Sequence, residues 1–401
     1  MRTLRLVAAS AVVLLVGVLV PPAPAATGEQ PVLKRAGSSD WRQVSAGGRH
    51  SCGIRTSGRL FCWGADDRGQ LGDGGTNTPQ PTPVEVAGGE TDWVAVSAGY
   101  DHTCALRSSG RLYCWGIDDN GELGDGSPGE ARTVPTQVAG GATSWAAVSS
   151  GWHHTCALRR SGRLYCWGLD SRGQLGRGTI GGSRFTPAQV VGQRTDWSLV
   201  SSGTAHTCAL RSTGRAFCWG NDELLQLGDG DSGSTTGTPS QVAGGRTDWT
   251  SISSGAGHTC ALRASGRLYC WGQDGLGQLG DGAAGPARGT PGQVAGASTQ
   301  WRRVVSGQVH TCAMRANRRV FCWGDDNIGG QLGNGEPLVS ADTPQQLAGG
   351  ATDWTALSSL GDHTCATTTA KRLYCWGYND FGQLGATTSA PWSPEPIEVH
   401  S

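Results

Sequence analysis

Methionine is almost absent, with two in 401 residues, and the mature part of the chain lacks the 3.6-residue apolar periodicity of helices. A helical or mixed α/β architecture is thereby excluded. Charge of one sign is missing too: 32 Lys and Arg balance 32 Asp and Glu. That removes the basic excess that nucleic-acid binders carry, so no nucleic-acid partner is expected. Beyond Val20 no apolar run approaches the roughly 20 residues that a membrane-spanning helix needs, so no membrane span is expected. Catalytic signatures are missing as well: there is no GxSxG, no GxxxxGK[ST], no HExxH and no carboxylate pair outside a repeat. Neither an enzyme nor a cofactor nor a metal site is expected. Asp229-Gly230-Asp231 reads as a solvated turn in preference to a calcium loop.

What the chain has in abundance is glycine, 65 residues, and tryptophan, 16 residues. Together they imply many tight turns around an aromatic core. The first residues read as an export signal: Arg2 and Arg5, an apolar stretch from Leu6 to Val20, then the small-residue site Ala23-Pro24-Ala25. Residues 1–25 are expected to be removed. Residues 26–401 then form a single domain, secreted into the extracellular space.

The fourteen cysteines reveal its plan. They fall in seven pairs: Cys52 and Cys62, Cys104 and Cys114, Cys156 and Cys166, Cys208 and Cys218, Cys260 and Cys270, Cys312 and Cys322, Cys365 and Cys375. The spacing repeats a unit of the form TDWxxVSSGxxHTCALRxSGRLYCWGxDxxGQLGDG followed by TPxQVAGG. Each unit carries four candidate strands, for example Thr136–Val138, Trp145–Ser149, His154–Leu158 and Leu164–Trp167. The fold class is therefore all-β, a seven-bladed β-propeller of four-stranded blades. In Cys104-Ala-Leu-Arg-Ser-Ser-Gly-Arg-Leu-Tyr-Cys114, a three-residue loop ending in Gly110 pairs Arg107 with Arg111 and so sets Cys104 opposite Cys114. One disulfide inside each hairpin follows, and export favours it over a His102/Cys104/Cys114 metal site. The short proline-led strand occurs eight times, from Pro31-Val32-Leu33 to Pro396-Ile397-Glu398-Val399, one more than seven blades need. One terminal copy is expected to complete the blade begun at the other end.

Units such as SGxxHTCALRxSGRLYCWG followed by GQLGDG resemble the regulator of chromosome condensation repeat, from about Pro31 to Val399. The resemblance implies a seven-bladed propeller. It is a family whose members include a nuclear guanine-nucleotide exchange factor and many scaffolding propellers, with a related secreted bacterial propeller that inhibits β-lactamases. The even spacing leaves no room for the wedge that the exchange factor inserts toward its GTPase. The bacterial inhibitor has shorter repeats without these cysteines. The chain thus resembles a secreted, bacterial-type member.

Seven copies in one chain can be compared with one another. A residue present in every copy is most simply framework, which assigns a structural role to His50, His102, His154, His206, His258, His310 and His363. Trp152 and Trp392 are the tryptophans outside the repeat. Strand order puts the Gly-x-x-His loop and the long loop after CysTrpGly on one face, opposite the Ser-Gly hairpin tips. The copies differ on that first face, which makes it the candidate binding face, carried by Arg49, Tyr100, Asp101, Trp152, His153, Gln308, Asp362 and Tyr378. Repeated acids such as Asp66, Asp118 and Asp222 share it, whereas arginines crowd the hairpin tips. Ser144 and Gln300 replace the TDW aspartate in two units, which predicts surplus positive charge there. The expected function is an extracellular, monomeric protein-binding or inhibitor-like scaffold whose partner is an extracellular protein. The alternatives are a carbohydrate or cell-wall binding module that takes a glycan through Trp152, and guanine-nucleotide exchange or GTPase regulation, which the resemblance implies.

Overall fold

The computed structural model describes residues 40–400 apart from 77, 78, 128, 232, 328 and 389. The export segment, residues 1–25, and the strand predicted at Pro31–Leu33 lie outside the described residues. Seven antiparallel four-stranded sheets make up the rest. Blade 1 is β1 (Trp41–Ala46), β2 (His50–Arg55), β3 (Leu60–Gly64) and β4 (Gln80–Glu85), paired in that order. Blades 2 to 7 repeat it, starting at Trp93, Trp145, Trp197, Trp249, Trp301 and Trp354.

The strand framing differs from the sequence reading in one respect. The proline-led strand is the outer edge of the blade before it: Thr136 pairs with Cys114, not with the Trp145 strand. Proline, which cannot donate to a ladder, is tolerated at such an edge. Consequently the strand ending at Glu398 belongs to blade 7, where it pairs with Tyr374. Every described blade is thus continuous in sequence, and among the described residues closure does not come from a shared strand. It comes from side chains, where Trp41, Val44 and Trp63 of blade 1 pack on Cys365, Leu373, Cys375 and Leu384 of blade 7 in one buried cluster, and from the backbone bonds of Trp41 N to Lys371 O and Gly361 N to Gly47 O.

The same cluster recurs at each joint, so the core is seven sheet-to-sheet contacts and not one central mass. At the joint between blades 4 and 5, Cys208, Leu210, Cys218 and Leu227 meet Trp249, Ile252 and Trp271. Each strand-leading Trp stands edge-on to the Tyr or Phe of its own hairpin, as Trp249 does to Tyr269 at 5.7 Å, the preferred arrangement of two quadrupoles. Cysteines pair within each hairpin as the register predicts, Cys208 opposite Cys218, with Cα separations of 4.0 Å in blade 1 and 4.1 Å in blade 4. All fourteen are bonded in seven disulfides and no free cysteine remains. The metal alternative for these sulfurs is thereby removed. A bond set that recurs in every blade suggests an oxidising environment.

Candidate functional site

The repeated polar residues turn inward and link one blade to the next. His206 Nε2 lies 2.9 Å from Thr259 Oγ1 of the following blade, and that hydroxyl donates its one proton to Gln226 O. The imidazole must therefore be the donor, which leaves Nδ1 unprotonated and without a hydrogen-bond partner. The same arrangement runs around the ring and closes with His363 on Ser51 at 2.7 Å. Burial pushes the pKa of His206 down to about 3. A second linkage comes from serine hydroxyls that accept the neighbouring amide, such as Ser254 N to Ser201 Oγ at 2.9 Å. It occurs at six joints and lapses between blades 6 and 7, where Val305 replaces the serine.

The repeated acids also prove to be framework. Asp118 is buried and its carboxylate accepts the amide of Leu123, an Asx-type turn closure. Asp66, Asp170, Asp222, Asp274 and Asp326 do the same for the leucine of their own loops. Burial raises the Asp118 carboxyl to about 7 and that of Asp222 to about 6. What remains for solvent on this face is the residue next to each, among them Asp67, Asp119 and Glu223, all exposed.

The residues that vary between blades do come together, along an arc over blades 7, 1, 2 and 3. Tyr100 and Trp152 stack with centroids 4.4 Å apart and a 34° tilt, and His153 stands edge-on to Trp152 at 6.4 Å. Arg49 reaches across two blades, 2.8 Å from Asp101 and 3.1 Å from Asp67. Its guanidinium lies 5.9 Å from the Tyr100 centroid and 5.1 Å from that of Phe381. Tyr378 packs on Phe381 at 6.3 Å and donates to Asp380 at 2.5 Å. Burial, and then the hydrogen bond to Asp380, pushes the phenol up to about 12. Burial also raises Asp101, an effect that the contact with Arg49 only partly offsets.

Two predicted residues stand differently. Asp362 is half-buried, its Oδ1 has no hydrogen-bond partner, and burial with the nearby charge of Asp325 raises it to about 6. Gln308 does not join the arc; its amide donates to Gly361 O of the next blade. Sequence reasoning passed over Phe381 and Glu122, although comparison of the copies would have found both. Phe381 holds a position that is Arg68, Asn120 or Leu276 elsewhere, and Glu122 is the acid in a series of glutamines from Gln70 to Gln383. Glu122 lies fully buried 3.5 Å from His153 Nδ1. Its burial would raise the carboxyl, but His153, Asn120 and His102 outweigh that and hold it low.

On the opposite face, the two units predicted to carry surplus positive charge lack the ion pair that four others have. Arg55, Arg107, Arg211 and Arg263 each pair with the TDW aspartate of their own blade. Arg159 finds Ser144 instead, at 3.2 Å, and Arg315 beside Gln300 has no carboxylate partner among the described residues.

Comparison with known proteins places this geometry. A model of the RCC1-like domain matches residues 21–242 and 94–401. The ultraviolet-B receptor UVR8 of Arabidopsis thaliana is 30% identical over 364 residues, 89% of this chain and 82% of that protein. The human ubiquitin ligase HERC2 is 30% identical over 74% of this chain, which spans 6% of its length. Among solved structures, yeast RCC1 (Prp20) bound to Kap60 superposes with a TM-score of 0.75 at 20% identity, over 85% of this chain and 83% of that one. This last likeness is one of fold.

Proposed function

We propose that this chain, which belongs to the RCC1-like domain family, is a binding module and not an enzyme, and that it holds a protein partner outside the cell. The arc over blades 7 to 3 carries the contact. The supporting observation is the half-exposed Tyr100–Trp152 stack beside an arginine already fixed by two carboxylates. Rigid aromatics and a pre-oriented arginine lose little entropy on binding and dominate protein interfaces. The seven disulfides favour a working place outside the reducing cytosol. A glycan is the second reading, favoured by one observation: the half-exposed rings of Tyr100 and Trp152 stack 4.4 Å apart, and stacked aromatic rings suit the apolar face of a sugar. Regulation of a GTPase rests on the family resemblance alone.

The test is capture from the protein's own medium and retention on insoluble polysaccharide, with wild type, the pair Tyr100→Ala and Trp152→Ala, and the remote pair Arg111→Gln and Arg215→Gln. A protein ligand lost with the aromatic pair and kept with the remote pair supports the first reading. Polysaccharide retention with the same pattern supports the second. A ligand indifferent to the aromatic pair overturns both.

A further inference from the structure

The opposite face, of hairpin tips, carries a feature that protein binding by the aromatic arc does not use. In blades 1 to 5 the third residue of each tip is a glycine with positive φ: Gly58 (82°), Gly110 (78°), Gly162 (73°), Gly214 (72°) and Gly266 (74°). Blades 6 and 7 hold the same left-handed conformation with cations, Arg318 at φ 62° and Lys371 at φ 58°. A side chain in that region carries a conformational penalty that glycine avoids, and such outliers concentrate at functional positions. Both cations are exposed.

Blade 6 gathers four more guanidiniums at the same end. Arg302 and Arg303 open its inner strand, Trp301–Ser306, whose first residue pairs with Arg315 at the foot of the hairpin. Arg319 follows the tip. Arg302, Arg303, Arg318 and Arg319 are exposed, and none of the five arginines makes an ion pair among the described residues. The equivalents of Arg315 in blades 2, 4 and 5, Arg107, Arg211 and Arg263, are neutralised by Asp92, Asp196 and Asp248; blade 6 has Gln300 in that place. The two carboxylates at this end of blade 7, Asp353 and Glu398, act on its own Arg372, Glu398 at 3.8 Å.

We propose that the hairpin-tip face of blades 6 and 7 is a docking surface for a linear polyanion with repeated phosphate groups. Charge complementarity carries it: six cations spread over two blades match a row of spaced anions better than one ion. Five of the six are guanidiniums, whose fork pairs two oxygens of a phosphate at once. Among the described residues the surface has no apolar anchor of the kind a protein interface needs. Val94, Val134, Ile180, Val191 and Leu224 belong to other blades, and Leu338 and Val339 lie in the long loop of the opposite face. Nor does it offer a ring on which a base could stack, because Arg315 lies over Phe321 at 4.2 Å and over Trp301 at 4.8 Å.

Binding of inorganic polyphosphate to the full chain, followed across salt concentrations, tests this. The variant Arg302→Gln, Arg303→Gln, Arg318→Gly, Arg319→Gln should bind at least about tenfold more weakly, with a log–log salt slope shallower by about three. A control, Arg111→Gln, Arg163→Gln, Arg215→Gln, Arg267→Gln, removes as many charges from the same face of blades 2 to 5 and should bind within about twofold of wild type. Arg318→Gly alone should weaken binding while leaving the melting temperature equal or higher, since it relieves the left-handed arginine. Equal losses in test and control, no binding at low salt, or equally tight binding to polyglutamate or to anionic phospholipid vesicles would overturn the proposal.

Discussion

Acid should loosen the ring through its histidines, and His206 allows the effect to be isolated. Its ring is fully buried, donates through Nε2 to Thr259, and has a pKa held near 3 by burial. The folded state keeps it neutral, whereas the unfolded chain takes up a proton below the ordinary value of about 6.5. Stability is therefore full above that value and is lost as the pH falls from 6.5 toward 3, by about 1.4 kcal/mol per pH unit. At pH 5 one imidazole withdraws about 2 kcal/mol relative to neutral pH. His50, His102, His154, His258, His310 and His363 are lowered in the same direction, each to about 3 or 4. Seven carboxyls pull the other way: Asp118 at about 7, Asp222, Asp274 and Asp362 at about 6, and Asp101, Asp170 and Asp326, which burial raises in the same direction, favour folding as the pH falls toward 4. At pH 5 a carboxyl raised to about 6 returns about 1.4 kcal/mol, less than the roughly 2 kcal/mol that each histidine withdraws, so the histidines prevail. Guanidinium unfolding with disulfides intact, at pH 7.5, 6, 5 and 4, on wild type and His206→Gln measures one histidine's share. The variant should be the less stable at pH 7.5 and close the gap by about 2 kcal/mol at pH 5. Parallel stability curves would refute the argument, since a ring that merely packs contributes no pH slope.

Two further outcomes follow from the joints and hairpins. Ser201→Ala strands the amide of Ser254 at the joint between blades 4 and 5 and should cost about 1 to 2 kcal/mol, read from the denaturation midpoint at constant slope. Replacing Cys208 and Cys218 together by alanine opens a loop with a sequence separation of 10 and should cost about 2 to 3 kcal/mol, visible as a lower melting temperature that reductant no longer changes in that blade.

Much of this protein was legible in one sequence because it is repeated seven times. Periodicity marked the blades, hairpin register paired the cysteines, and comparison among copies separated framework from variable residues such as Tyr100 and Trp152. Those inferences depend on contacts close in sequence, which strand alternation and loop length fix by themselves. The tertiary structure decided what depends on distant neighbours. It assigned the proline-led strand to the preceding blade, because hydrogen bonding and not order along the chain defines a sheet. It decided between a charged face and turn closure for the repeated aspartates, in favour of buried turn closures, since burial depends on the loop above them. It brought Phe381 of blade 7 against Arg49 of blade 1, residues more than three hundred positions apart. Ring closure joins them, and spacing within a single repeat carries no information about which side chains meet across that joint.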